Sequence, residues 1–202
     1  MFMKGTLFVV TAPSGAGKTT ICDAVLKSVP RLKYSVSATT RPPRRGETHG
    51  EDYYFLSREE FERGIKEGRF LEHALVYDNY YGTPRAYIEK ELDAGFDIIM
   101  DIDVQGALSI KALKYPAVFI YIVPSSLRVL RERLDGRKTD SREVIEKRLA
   151  QAQKEISYLP EYDYVIVNER LPAAIADMES VIKAERCRVS RRPNLVRSIL
   201  ND

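Results

Sequence analysis

The sequence predicts an α/β fold of three layers, a mostly parallel sheet with helices on both faces, carrying a small mixed insertion and a short lid. Three observations lead there. Apolar, strand-like runs alternate with amphipathic, capped, helix-like runs along most of the chain. The stretch 34–83 breaks that rhythm with several short strand-like runs around one helix. A short, polar, basic segment, Asp135–Ser141 (DGRKTDS), joins two helices in the manner of a loop that closes over a site.

The elements follow in order. Thr6–Thr11 (TLFVVT) is continuous and β-branched, as a strand buried on both faces should be. Lys18–Ser28 reads as a helix that turns Ile21, Ala24, Val25 and either Leu26 or Val29 inward. Within the irregular stretch, Tyr34–Ala38, Asp52–Phe55 and Phe70–Tyr77 are strand candidates, and Ser57 with Glu60 forms a capping box for the helix among them. Thr83–Pro84 reads as an N-cap followed by an N1 proline, and Gly95 sits just past the end of that helix. Asp97–Asp101, Ala117–Val123 and Tyr164–Val167 read as three more buried strands. Gln105–Lys114, Ser126–Leu134, Asp140–Ile156 and Leu171–Val189 read as helices, with Asp140 and Glu143 as a capping-box-like start.

Composition excludes several classes. With 202 residues, 44% hydrophobic and 30% charged, the chain can build a real core and does not have a disordered composition. The longest apolar run, Ala117–Val123, is too short to span a membrane, and no secretory leader is evident. A net charge of +3 is too mild to declare a nucleic-acid binder. Cys22 and Cys187 form no CxxC motif, and with His49 and His73 they make no zinc site. A reducing, cytoplasmic setting is expected, and any metal should be held by oxygen ligands. Cys22 reads as core packing. The basic end, Lys183–Arg197, reads as a solvated face, with a partner subunit or nucleic acid as the alternative.

After the first strand comes Ala12-Pro13-Ser14-Gly15-Ala16-Gly17-Lys18-Thr19, followed by a helix that begins with Thr20 in its first turn. This matches GxxxxGK[ST] except that Ala12 replaces the first glycine. Gly15 and Gly17 let successive N–H groups turn toward phosphate oxygens, and the helix adds its positive end. Lys18 should reach the outer phosphates and the Thr19 hydroxyl should hold Mg²⁺. The ordinary alternative is a glycine-rich turn with a solvated lysine. Asp101, at the end of the next buried strand, and Asp103 should project on the ligand side of the sheet. One suits a metal-bound water and the other a substrate donor, although Asp103 also reads as a helix cap.

In the segment Ser37-Ala38-Thr39-Thr40-Arg41-Pro42-Pro43-Arg44-Arg45-Gly46-Glu47, two prolines stiffen the stretch that carries Arg41 and Arg44. Arginine forks suit a phosphate oxyanion. Tyr53 and the run Asn79-Tyr80-Tyr81-Gly82-Thr83 add phenols and hydroxyls, so a second phosphorylated ligand is expected here. A solvated basic loop is the bland alternative.

At this point the sequence resembles the guanylate kinases. The carrying segments are APSGAGKT, SATTRPPRRGE, GEDYYF, FLEHA, NYYGT, DIDVQGA, RLDGRKTD and KRLAQAQKE, in this order from about residue 6 to 190. The resemblance implies ATP and GMP as substrates, GDP and ADP as products, and Mg²⁺ as the metal. It implies a core of residues 1–33, 84–134 and 157–202, a GMP-binding insertion over 34–83 and a lid over 135–156. It places Arg41, Arg44, Tyr53 and Tyr81 at the GMP phosphate, and Ser37, Glu72, Thr83 and Asp103 at guanine. Asp101 falls near the base or the metal, with Thr19 as the other metal ligand. On the ATP side it places the loop from Ala12 to Thr20, together with Arg133, Arg137 and Asn168.

Physical chemistry agrees with that assignment. Guanine presents N1–H and a 2-amino group as adjacent donors, which one carboxylate such as Glu72 can accept. Hydroxyls of Ser37 or Thr83 can donate to O6, and adenine would leave Glu72 unpaired. Phosphoryl transfer asks for positioning and cations, so Lys18, Arg44, Arg137 and Arg148 are the expected catalytic residues. Helix-surface salt bridges are the ordinary reading of Arg133, Arg137 and Arg148, a turn residue that of Asn168, and a surface acid that of Glu72. The expected partners are GMP, with dGMP as a further candidate, and ATP. No membrane and no nucleic acid are expected, and a homo-oligomer is left open. Two alternatives are a kinase for another monophosphate and a catalytically silent module that binds acidic or phosphorylated peptides.

Overall fold

The computed structural model describes residues 4–76, 78–136, 141–192 and 199–200. Five strands form one parallel sheet: β1 (Leu7–Thr11), β2 (Leu32–Tyr34), β7 (Asp97–Asp101), β8 (Val118–Pro124) and β9 (Tyr164–Asn168), in the order β2-β7-β1-β8-β9. A second, mixed sheet has the order β4-β3-β6-β5, built from β3 (Ser37–Thr39), β4 (Tyr53–Phe55), β5 (Phe70–Val76) and β6 (Asn79–Pro84).

Alternation along the central strands divides the core. Phe8, Val10, Ile99, Ile120 and Ile122 face one layer, where Ile21, Cys22 and Val25 of α1 (Lys18–Ser28) and Ala174, Met178 and Ile182 of α7 (Leu171–Arg186) cover them. Leu7, Val9, Ile98, Met100 and Phe119 face the other layer, against Ile88 and Leu92 of α3 (Arg85–Asp93) and Ala107 and Ile110 of α4 (Val104–Ala112). Two apolar faces on one strand explain why these runs read as continuous rather than alternating. Helices α5 (Leu127–Asp135) and α6 (Arg142–Ile156) pack as a hairpin with their own small core, Leu130, Leu134, Ile145, Leu149 and Ala152. Phe61 of α2 (Arg58–Lys66) stacks on Phe70, at 4.3 Å between ring centroids, to close the second sheet from behind.

The expected α/β class holds, and several local expectations are corrected. The run Tyr34–Ala38 is two strands. Tyr34 ends β2 in the large sheet, and Ser37 begins β3 in the small one. The run Asn79–Thr83, read only as a source of donors, is strand β6, held by β3 on one side and β5 on the other. Tyr164–Val167 is an edge strand, so Val165 and Val167 stay about half exposed while Ile166 is buried. Thr83 remains in β6 and Pro84 takes the cap of α3. Ser141 caps α6 by accepting from Val144 N, and Asp140, expected to start this helix, lies outside the described residues. The last helix stops at Arg186, and a single 3₁₀ turn follows over Val189–Arg191. The capping box of Ser57 and Glu60 forms as read, and Gly95 takes the left-handed conformation beyond α3 at φ 78°.

Candidate active site

The loop between β1 and α1 turns through Gly15 (φ 92°) and Gly17 (φ 94°), a region open to glycine at little cost. Ala12 packs against the core layer, which accounts for a side chain being tolerated there. Helix α1 starts at Gly17 with no side-chain cap, so its first amides point at the space in front of the loop. Thr19 and Thr20 lie in that first turn. The loop is braced from the far edge of the sheet. Asn168, buried at the end of β9, donates from Nδ2 to the Ala16 carbonyl at 2.8 Å, and its Oδ1 has no partner. Arg133 donates to the Asn168 carbonyl at 2.8 Å and to the Ala16 carbonyl at 3.4 Å. Arg148 reaches back from α6 to the Ser14 hydroxyl at 3.1 Å. Arg133 and Arg148 therefore touch the loop, beyond the salt bridges of an ordinary helix surface. Arg137 lies outside the described residues.

Asp101 is the meeting point. Its carboxylate forms an ion pair with the Lys18 ammonium, which also donates to the Ile102 carbonyl at 3.3 Å. The Tyr34 phenol lies against the same carboxylate, and burial together with that charge pushes its pKa up. Tyr34 was not singled out from the sequence; it opens the strand-like run 34–38, and only the sheet order puts it beside Asp101.

Across from Asp101, the second sheet gathers a cationic and phenolic cluster. Arg41 is held by Glu47 through two hydrogen bonds, at 2.9 and 2.8 Å, and lies over the Tyr53 ring at 5.3 Å. Glu47 also accepts from the Arg44 amide at 2.6 Å, which closes the proline-stiffened turn. The Arg41 guanidinium holds the Glu47 carboxyl down at about 2. Tyr53 and Tyr81 meet edge to face at 6.1 Å, and Tyr81 hydrogen-bonds Arg41. Ser37 stands opposite Tyr53 in the β3–β4 register. Arg41, Arg44, Tyr53, Tyr81 and Ser37 are thus brought to one corner.

Glu72 lies deeper, on β5. Thr83 donates to its Oε1 at 2.8 Å. Helix α4 comes so close that a Cβ on Gly106 would sit 3.2 Å from Glu72 Oε2. That approach strips water from the carboxyl, and burial pushes its pKa up to about 7, with the Thr83 bond opposing and Asp103 adding a smaller push. Gly106 is the second residue that sequence reasoning passed over. Asp103 caps α4 by accepting from Gly106 N at 2.8 Å, as its ordinary reading held. The Thr83 hydroxyl, expected at the guanine, donates here to the Glu72 carboxylate, the neighbouring residue of the same expected set.

No group of three or more His, Cys, Asp or Glu side chains able to hold a metal occurs among the described residues. The oxygen donors at the loop are the Thr19 hydroxyl and the Asp101 carboxylate. That set suits Mg²⁺, which takes one or two protein oxygens and fills the rest of its shell with phosphate and water.

Comparison with known proteins bears on this geometry. A family model described as guanylate kinase matches residues 4–185. A guanylate kinase from Desulfitobacterium hafniense is 48% identical over 195 residues, covering 96% of this chain and 98% of its own. One from Symbiobacterium thermophilum is 49% identical over 188 residues, covering 93% of this chain and 89% of its own. The crystal structure of guanylate kinase from Anaplasma phagocytophilum superposes with a TM-score of 0.76 at 35% identity, covering 100% of this chain and 96% of that one.

Proposed function

We propose that this chain, which belongs to the guanylate kinase family, transfers the γ-phosphoryl group of ATP to GMP, giving ADP and GDP, with Mg²⁺ as the metal. The observation that carries this reading is the position of Asp101, which touches Lys18 of the phosphate loop on one side and Tyr34, beside the arginine and tyrosine corner, on the other. Two phosphate-binding corners that share one carboxylate suit a reaction in which a phosphoryl group crosses between them.

The chemistry needs little from the protein beyond placement. An oxygen of the GMP phosphate forms the new bond to the γ-phosphorus while the bond to the β–γ bridging oxygen breaks. The GMP phosphate is largely ionised at neutral pH, so no general base is required. Arg41, Arg44, Tyr53 and Tyr81 hold it, and Ser37, Glu72, Thr83 and Asp103 hold the base. The amides of the loop from Ala12 to Thr20 cradle the ATP phosphates, with Arg133 and Asn168 fixing the shape of that loop. Lys18 exchanges Asp101 for the outer phosphates when ATP arrives. Arg148, already on Ser14, stands at the loop, and Arg137 completes the cationic clamp. Thr19 and Asp101 would hold Mg²⁺, which neutralises charge on the phosphate oxygens when bound.

In this reading residues 1–33, 84–134 and 157–202 are the core, 34–83 bind GMP and 135–156 are the lid. The setting is purine nucleotide metabolism in the cytoplasm. The free state of both Cys22 and Cys187 supports that compartment.

The test is ADP release from ATP and Mg²⁺ with GMP, AMP, UMP and dTMP offered singly. Fast turnover with GMP alone is expected. Turnover with another acceptor would discard the base assignment. GMP binding without any turnover would discard the enzyme reading in favour of a binding module.

A further inference from the structure

The back of the small sheet carries an apolar cavity of about 360 Å³ for which the phosphate chemistry has no use. Alternation along β3 and β4 sends Ser37 and Tyr53 to the arginine and tyrosine corner. It sends Ala38 and Tyr54 to the opposite face, where the cavity lies. Leu56 and Phe70 line it from the same side, and Ala86 and Tyr87 from α3. The sheet therefore separates this space from the nucleotide corner. The walls are held by the chain itself. Gly64 presents bare backbone to Phe70, since a Cβ there would stand 2.8 Å from Phe70 Cε2. Phe70 is thereby seated against α2, stacked on Phe61. On the other side, Arg85 N donates to the Arg69 carbonyl at 2.8 Å, and the Tyr87 hydroxyl donates to the Tyr34 carbonyl at 3.3 Å. These two bonds fix the start of α3, and the small side chains of Ala38 and Ala86 leave the space between the walls open.

The polar groups on the lining decide what fits. Two cations, Arg69 and Arg85, stand against two carboxylates, Glu60 and Glu89, and each is engaged within the chain. Arg85 pairs with Glu89 at 3.8 Å and Arg69 with Glu67. Glu60 accepts from Ser57 N at 2.8 Å and faces Arg63. The lining thus offers an ionic ligand no net charge. Two uncharged donors remain. His49 Nδ1 accepts from Phe55 N at 3.2 Å, so the ring proton sits on Nε2. That ring stands edge-on to Tyr54, at 5.7 Å between centroids. Among the described residues, neither His49 Nε2 nor the Tyr54 hydroxyl has a hydrogen-bond partner. Aromatic walls with two neighbouring donors call for a ring that carries an acceptor. The volume falls at the lower end of the ~300–1,000 Å³ range of ligand pockets, which suits one or two fused rings.

We propose that this cavity binds a small, neutral, planar aromatic molecule with a carbonyl acceptor, apart from the nucleotide site. The ring packs among Tyr54, Phe70 and Tyr87, and the carbonyl accepts from the Tyr54 hydroxyl with the His49 N–H beside it. The proposal does not depend on the kinase reading, and its test is a binding measurement.

The probe is prodan, a neutral fluorescent naphthyl ketone, titrated into the intact protein with GMP and ADP in excess. One equivalent should bind, with its emission shifted to the blue. Ala86→Trp fills the cavity from α3 and should weaken binding at least about tenfold, with an unaltered cooperative melt as proof of folding. Tyr54→Phe should weaken binding about severalfold and move the emission further to the blue, because the hydrogen bond to the ketone is lost. Naphthoate, of similar size but anionic, should bind at least about tenfold more weakly than prodan. Absence of binding, or full displacement of the probe by GMP and ADP, would overturn the proposal. So would binding that Ala86→Trp or Tyr54→Phe leaves intact, or equal affinity for naphthoate.

Discussion

Glu72 offers the sharpest test of the site. Burial under α4 lifts its carboxyl from an ordinary 4.5 to about 7. That change corresponds to about 3 kcal/mol against the ionised form. On the proposed assignment guanine requires that form, because N1–H and the 2-amino group both donate. In the unliganded protein about half of the Glu72 carboxyls are ionised at pH 7, about a tenth at pH 6 and about nine-tenths at pH 8. Base affinity should therefore rise roughly tenfold between pH 6 and pH 8. Guanosine is the ligand to titrate, since the phosphate of GMP itself ionises near pH 6. Calorimetry at pH 7 in buffers of different ionisation heat should show about half a proton released per guanosine bound. Glu72→Gln should abolish both the slope and the proton release.

The same carboxyl makes a stability prediction of definite sign. A folded-state pKa above the unfolded value contributes stability below about pH 4.5, and that contribution is lost as pH rises through about 7. Removing the charge should thus stabilise the unliganded protein in alkaline solution. Against the gain of about 3 kcal/mol stands a weakened Thr83 bond of about 1 kcal/mol, leaving about 2 kcal/mol. For a chain of this length that is a rise in Tm of about 4–8 °C at pH 8, with little change at pH 4. Flat guanosine affinity from pH 6 to pH 8, or a Tm unmoved by Glu72→Gln at pH 8, would refute the reasoning.

Three further outcomes are expected. Gly17→Ala forces a left-handed φ on a residue with a side chain and sets its Cβ 2.4 Å from Asn168 Nδ2; Tm should fall by about 5 °C or more and the KM for ATP should rise at least about tenfold, read by melting and steady-state kinetics. Asn168→Ala removes the buried donor to the Ala16 carbonyl, so KM for ATP should rise about tenfold while KM for GMP stays within about twofold. Lys18→Ala should lower kcat by about 10²–10³-fold with GMP affinity nearly unchanged, measured by ADP release and by GMP titration.

What was legible in the sequence depended on how local its cause was. The phosphate loop, α1 and the strand Asp97–Asp101 announce themselves because glycine placement, capping and two-faced burial are written in adjacent residues. Strand β6 was missed because Asn79-Tyr80-Tyr81-Gly82-Thr83 has no apolar alternation; its extended form comes from β3 and β5 on either side. Thr83 resembled a helix cap until Glu72, on a neighbouring strand, claimed its hydroxyl. The roles of Tyr34 and Gly106 arise from approaches between elements far apart in sequence, Tyr34 to Asp101 and α4 to β5. The buried carboxyl Glu185 was hidden in the same way, since nothing beside it in sequence foretells a Tyr164 partner or its loss of solvent.

The strand that carries the phosphate loop is synthesised first, yet it sits in the middle of the sheet. Its two neighbours, β7 and β8, begin at residues 97 and 118, and the amide at its start is answered by Asp97, which Arg186 in turn secures. A growing chain therefore carries β1 with both edges unpaired until residues 97–101 have been added, and Asp97 is secured by Arg186 only once α7 follows. Long-range pairing of this sort makes folding slow and exposes sticky strand edges on the way. Slow elongation over residues 12–124 should prolong that exposure and lower the yield of native protein.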